Sequence, residues 1–162
     1  MKSYIGIDPG SSSGAVAWLD IEFDCNDNRV IGEVIVWRDC FEFNKHTLQE
    51  WFAKLKDIDH GKTVAVLEKV HSMPGQGVVS ATTFGKNVGH IEMALTAASI
   101  PFREVTPQTW MKYYGMKKDK DESKTEWKRR LRERLQQLMP DLKVTNNNAD
   151  AYLIAYYNWK TS

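Results

Sequence analysis

Apolar residues open the chain in a short run, Tyr4, Ile5 and Ile7, and resume with Ala15, Val16, Ala17, Trp18 and Leu19. The pattern predicts paired strands over 2–8 and 14–20, joined by a turn through Pro9, Gly10, three serines and Gly14. Glu22 to Asn28 is acidic and closes on turn-forming residues, so a loop is expected there. Val30 to Trp37 is rich in β-branched residues and predicts a third strand. Thr47 to Ile58 carries Leu48, Trp51, Phe52 and Leu55 on one face, an amphipathic helix with Thr47 or Asn44 as its cap. Lys62 to Leu67 is an apolar strand that runs into Glu68.

The second half alternates helices with one more strand. His71 to Gly77 holds little that would anchor in a core and predicts a flexible loop. Ser80 to Ser99 predicts a long helix, with the small residues Gly85, Gly89, Ala94, Ala97 and Ala98 permitting close approach of another helix or subunit. Pro101 to Val105 is a short strand, and Thr106-Pro107 starts a helix with proline in its first turn. Lys117 to Lys120 is a charged linker. Ser123 to Met139 is a basic helix with Trp127, Leu131, Leu135 and Leu138 at helical spacing, stopped by Pro140. A last helix is expected from Thr145 or Asn146 to Trp159. Strands followed by alternating helices and strands predict an α/β domain, a mixed sheet flanked by helices.

Composition narrows the class. A chain of 162 residues, 42% hydrophobic and 27% charged, fits a single globular domain spanning 1–162. No apolar run reaches the roughly 20 residues that span a bilayer, and Met1-Lys2-Ser3 leads directly into a strand, so neither a membrane span nor a secretory signal is expected. Cys25 and Cys40 lack metal-ligand spacing and fit free thiols in a reducing cytoplasm. Net charge is only +1, but residues 20–61 hold 10 acids and 5 bases (−5), while 101–144 hold 12 bases and 7 acids (+5). One side is suited to attract phosphate and another to repel it; a solvated helix face yields much of the same imbalance.

Three acids stand where chemistry is expected. Asp8 ends the first strand, Glu68 ends the fourth, and Asp150 lies in the first turns of the last helix. Each alone is an ordinary strand-end or helix-start acid. If the first and fourth strands are neighbours, a helix crossing the sheet brings Asp150 to the other two. Clustered carboxylates repel unless a cation neutralises them, and hard oxygen donors favour Mg²⁺ or Mn²⁺. Two such ions about 4 Å apart can activate water and stabilise the leaving oxygen of a phosphodiester.

The motifs Gly6-Ile7-Asp8-Pro9-Gly10, Leu67-Glu68-Lys69-Val70 and Asn147-Asn148-Ala149-Asp150-Ala151, in this order and spacing, resemble RuvC, the Holliday junction resolvase family of the RNase H-like superfamily. The resemblance covers nearly the whole chain. It implies an RNase H-like fold with a five-stranded sheet, a homodimer, and divalent-metal cleavage of four-way DNA junctions, with Asp8, Glu68 and Asp150 as metal ligands. The family usually has an acid or histidine three residues before the last aspartate; here that residue is Asn147, either a neutral metal ligand or part of the helix cap. An aromatic residue three positions after the glutamate inserts at the junction in the family; here it is His71, either a DNA contact or an ordinary loop histidine. Gln76, Lys86 and Asn87 are candidate backbone contacts. Lys112, Lys117, Lys118 and Lys124 surround the region where the family places its lysines, with Lys124 the first candidate for transition-state charge and Lys112 the second. Lys128, Arg129 and Arg130 are expected on a phosphate-facing or solvated surface.

Three alternatives accompany this reading. An actin-like or sugar-kinase ATPase opens with a similar first motif but needs two such domains. A non-catalytic binder of branched DNA accommodates Asn147 as the mark of a decayed site. A nuclease of the same chemistry taking forks or flaps differs only in substrate geometry. A bacterial and a bacteriophage origin suit the chain equally.

Overall fold

The computed structural model describes residues 1–10, 12–26, 29–43, 45–56, 60–70 and 77–162. Expectations placed on Asn44, His71 and Gln76 lie outside these residues. Strands β1 (Lys2–Asp8), β2 (Ala15–Asn26), β3 (Arg29–Glu42), β4 (Thr63–Glu68) and β5 (Phe102–Val105) form one sheet in the order β3-β2-β1-β4-β5. The first three strands are antiparallel neighbours, whereas β4 and β5 run parallel to β1. Helices α1 (Leu48–Leu55) and α2 (Val78–Ala97) make the two crossovers, and α3 (Pro107–Tyr113), α4 (Lys124–Leu138) and α5 (Ala149–Thr161) follow. This is the five-stranded mixed α/β arrangement of the RNase H-like fold.

The pleat divides the sheet into two apolar layers. Ile5, Ile7, Val16, Trp18, Ala65 and Leu67 face α1 and α2. Tyr4, Ala17, Leu19 and Val66 face α3, α4 and α5. On that second face Gly6 lets α5 lie directly on β1: a Cβ there would stand 2.1 Å from the Ala155 nitrogen and 2.4 Å from the Ala151 oxygen. Asn158, buried in α5, donates to the carbonyls of Ile5 (3.0 Å) and Val64 (2.9 Å), so one side chain pins the helix across two strands.

Two expectations need correction. The acidic segment read as a loop is strand from Glu22 to Asn26, Asp27 and Asn28 lying outside the described residues: Glu22 pairs with Val34 and Asn26 with Arg29, with register shifts at Asp20/Ile21 and Asp24/Cys25. A continuous ladder outweighs the turn preference of single residues, and the shifts absorb the mismatch. The last helix starts at Ala149, not at 145 or 146. Thr145 and Asn148 exchange hydrogen bonds, the Thr145 N–H donating to Asn148 Oδ1 (2.8 Å) and the Asn148 N–H to Thr145 Oγ1 (3.1 Å). Side chains that satisfy backbone groups locally favour a turn over helix. Smaller shifts affect α1, which ends at Leu55, and α2, which begins at Val78. Thr47 and Ser123 both cap their helices through reciprocal boxes with Glu50 and Glu126. Cys40 is a free thiol, and burial pushes it up, beyond the range of a reactive thiolate.

Candidate metal centre

The acid centre follows from the pleat. Ile7 pairs with Leu67, so the next residues, Asp8 and Glu68, end their parallel strands side by side. Both continue the alternation of Gly6 and Val66 and so project to the α5 face. Gly6 admits α5 to that face, and the first turn of α5 delivers Asp150. Asp8 is oriented by the Gly10 N–H, which donates to its Oδ1 at 3.1 Å. Gly14 closes the same turn by donating to the Gly10 carbonyl at 2.9 Å; a Cβ on Gly14 would meet the Asp8 oxygen at 2.3 Å. Asn87, a candidate DNA contact, donates its side-chain amide to the Pro9 carbonyl at 2.7 Å and so ties α2 to this turn.

Glu68 is held from the other side. Trp110, fully buried in α3, donates its indole N–H to Glu68 Oε1 at 2.8 Å. Burial raises the Glu68 carboxyl to about 8, helped by the charges of Asp8 and Asp150 and opposed by Trp110 and Lys128. Asp8 is raised to about 6, first by burial and then by Asp150. Carboxyls that perturb one another in this way form one electrostatic unit.

Lys128 provides the cation of that unit. Its ammonium donates to Asp150 Oδ2 at 2.5 Å, with the lysine side chain 28% and the aspartate side chain 11% exposed. Burial works against its charge, but Asp150, with Asp8 and Glu68 beyond it, outweighs that and raises the group. The expectation of a solvated or phosphate-facing Lys128 is thus corrected: its place among the acids depends on the crossing of α4 over α5, which charge patterning does not reveal. The other oxygen of Asp150, Oδ1, is buried without a hydrogen-bond partner.

Among the described residues no group of three Asp, Glu, His or Cys side chains is arranged to hold a metal ion as the acids stand. The donor set nevertheless has the chemistry for one: three hard carboxylates, surplus negative charge and a bare buried oxygen on Asp150. Asn147 lies in the turn before α5, so it does not share a helix face with Asp150. Glu42 stands in the same row of the sheet, paired through Ala15 to Asp8, but it is bound by Lys45 (3.1 Å) and by the Thr145 hydroxyl (3.2 Å). Trp110 and Lys128 are the members of the centre that sequence reasoning missed, since both reach the acids only through tertiary packing.

The remaining candidates lie at the surface. Lys124 is exposed at the first position of α4, one turn before Lys128 on the same side of the helix. Lys112, Lys117 and Lys118 are exposed and, with Gln108, Met111 and Met116, line an open cavity of about 680 Å³ beside α3. Lys86 is exposed on α2. No helix among the described residues is long and apolar enough to cross a membrane.

The fold and centre together define an RNase H-like domain with an acidic site at the carboxyl ends of β1 and β4. No family model and no curated protein matches the sequence. Solved structures do match: a structure of Thermus thermophilus RuvC is 15% identical, with 96% of this chain covering 92% of that one at a TM-score of 0.59. T. thermophilus RuvC in complex with Holliday junction substrate is 13% identical over 96% of this chain and 91% of the other, at a TM-score of 0.62. The fold that the sequence motifs implied is the fold present.

Proposed function

We propose that this protein is a metal-dependent, structure-selective DNA endonuclease of the RuvC kind, resolving four-way junctions by paired hydrolysis that leaves 5′-phosphate and 3′-hydroxyl ends. The observation that carries the reading is the meeting of Asp8, Glu68 and Asp150 on one face of the sheet, with a buried Asp150 oxygen left bare. The shared fold with a RuvC solved in complex with Holliday junction substrate supports the substrate class. Asp8, Glu68 and Asp150 would hold Mg²⁺ or Mn²⁺, two ions in the family scheme; such ions supply Lewis acidity for attack on the phosphodiester.

The chain's own groups do the rest. The Gly10 N–H and the Trp110 indole fix the orientation of Asp8 and Glu68. Lys124 offers an unpaired surface ammonium to the charge that develops on the scissile phosphate. Lys112, Lys117, Lys118 and Lys86 grip the backbone through phosphates, joined by His71 and Gln76 in the sequence reading; affinity should therefore fall steeply with salt. The chain acts as one nuclease domain in the cytoplasm, where its DNA is. It works as a homodimer through α2, whose Val78 and Val79 are each 82% exposed and whose Met93 is 65% exposed. Two-fold symmetry then matches paired cuts to a symmetric junction.

Cleavage of end-labelled four-way junction, fork and linear duplex in Mg²⁺ and Mn²⁺, beside Asp8→Asn, tests the reading. Paired symmetric nicks on the junction, lost in the mutant, are the expected result; equal cutting of forks would broaden the assignment to a debranching nuclease. One observation favours a second reading, a non-catalytic binder of branched DNA: Asn147 stands where the family has an ionisable ligand. Tight junction binding without cutting in either metal would select it.

A further inference from the structure

We propose that Lys128 is a built-in counter-ion of the acid centre, which a divalent cation must displace, and whose released ammonium then meets the DNA phosphate. The proposal rests on the metal centre proposed above. Its ground is an asymmetry in Asp150, which is 8% exposed: Oδ2 takes the Lys128 ammonium, while the buried Oδ1 takes nothing. One ammonium bonded to one oxygen of Asp150 leaves the rest of the centre's acid oxygens without a cation, so it holds Asp150 without saturating the site.

The neighbouring cations are committed elsewhere. Arg130 is bound to Glu122 through both carboxylate oxygens at 2.9 Å, and Arg129 lies 3.9 Å from Glu133. Lys128 alone on α4 is therefore described in contact with the acids. Its backbone is fixed, since Trp127 and Leu131 on either side are buried in the core. The four-carbon stem above that anchor is free to swing, because a lysine ammonium is a hydrated point charge without the locked fork of arginine. Helical side chains lean over the turn before their own, so a released Lys128 extends over the turn that carries Lys124 on the same side of α4. A metal ion arriving at Oδ1 and taking over Oδ2 would leave Lys128 to extend toward Lys124, making a pair of cations beside the acids where a phosphate would lie.

The counter-ion thus acts in two opposite ways. It competes with the metal and assists the DNA, a combination that a purely structural lysine does not have. The test is calorimetric titration of the full-length protein with Mn²⁺ alone, followed by junction binding in non-cleaving Ca²⁺, for wild type, Lys128→Met, Lys128→Arg and Asp8→Asn. Removing one neighbouring positive charge should tighten Mn²⁺ about tenfold in Lys128→Met, while junction affinity in Ca²⁺ falls several-fold. Lys128→Arg, which keeps the charge and can grip both Asp150 oxygens, should bind Mn²⁺ no more tightly than wild type. Unchanged or weaker Mn²⁺ binding by Lys128→Met, with Asp8→Asn still abolishing it, overturns the counter-ion and leaves the metal centre standing. Tighter Mn²⁺ with unchanged junction affinity overturns the transfer to phosphate. If wild type takes up no Mn²⁺ and Asp8→Asn changes nothing, the metal reading itself falls.

Discussion

On one face of the sheet α5 lies against β1 with only the missing side chain of Gly6 between their backbones, and nearly every residue from Ala149 to Trp159 is buried. On the other face the 20 residues of α2 commit only Ile91 and Leu95 to full burial, and no side chain caps its first turn. The same five strands support both layers. The difference is that the α5 face carries the acids, and carboxylates can be held together only where helices are fixed to a fraction of an ångström. Asn158 across two strands, Trp110 on Glu68 and Lys128 on Asp150 do this fixing. The α2 face carries no such acid cluster among the described residues, and its exposed valines and methionine are where the proposed second copy would dock.

The contrast can be broken most sharply at Gly6. Gly6→Val forces the α5 backbone off β1 and should cost about 3 kcal/mol or more, read from urea unfolding, with cleavage lost. A midpoint within error of wild type would mean that the close approach is not needed.

The second test is pH. Asp8 and Glu68 rise from ordinary values of 3.8 and 4.5 to about 6 and about 8 in the fold. The folded state therefore keeps protons that the unfolded chain releases. Their contribution is full below the unfolded values and is lost as pH rises through about 6 and then about 8. The rise of Asp8 alone corresponds to roughly 3 kcal/mol at most, less with solvent relaxation. Urea midpoints in chelator should fall between pH 5 and 9, and saturating Mg²⁺ should flatten the fall, because the metal prefers the ionised acids. A flat profile in chelator would contradict the mutual perturbation of the acids.

Smaller effects separate orientation from packing. Trp110→Phe keeps the ring in the core but removes the hydrogen bond to Glu68, and should cost about 1.5 kcal/mol together with weaker Mn²⁺ binding. Smaller still, Val79→Ser on the open face should change the stability of the isolated protomer by less than about 0.5 kcal/mol. Its effect should appear instead in sedimentation, as a shift from dimer to monomer; an unshifted dimer would move the interface off α2.

The sheet and the pair of strand-end acids were legible because both depend on local pattern: apolar runs stopped by Asp8 and Glu68, and an order that makes β1 and β4 neighbours. Boundaries failed where side chains compete with the backbone. Asn26 looked like a turn residue and is paired in a ladder, while Thr145, read as a helix start, is tied with Asn148 into a turn. Lys128 was hidden for a different reason. In the sequence it is one of six bases of equal appearance in α4, and only the crossing of two helices distinguishes it from Arg129.

The close seating of α5 on β1 has a consequence for the timing of synthesis. The acids come from opposite ends of the sequence, Asp8 from the first strand and Asp150 from the last helix. While the ribosome is still making the middle of the chain, Asp8 and Glu68 can already pair on their strands, but Asp150 and the helix that seals them do not yet exist. A nascent chain of this protein thus has only half of its acid centre, and the cleavage proposed for it must wait for α5.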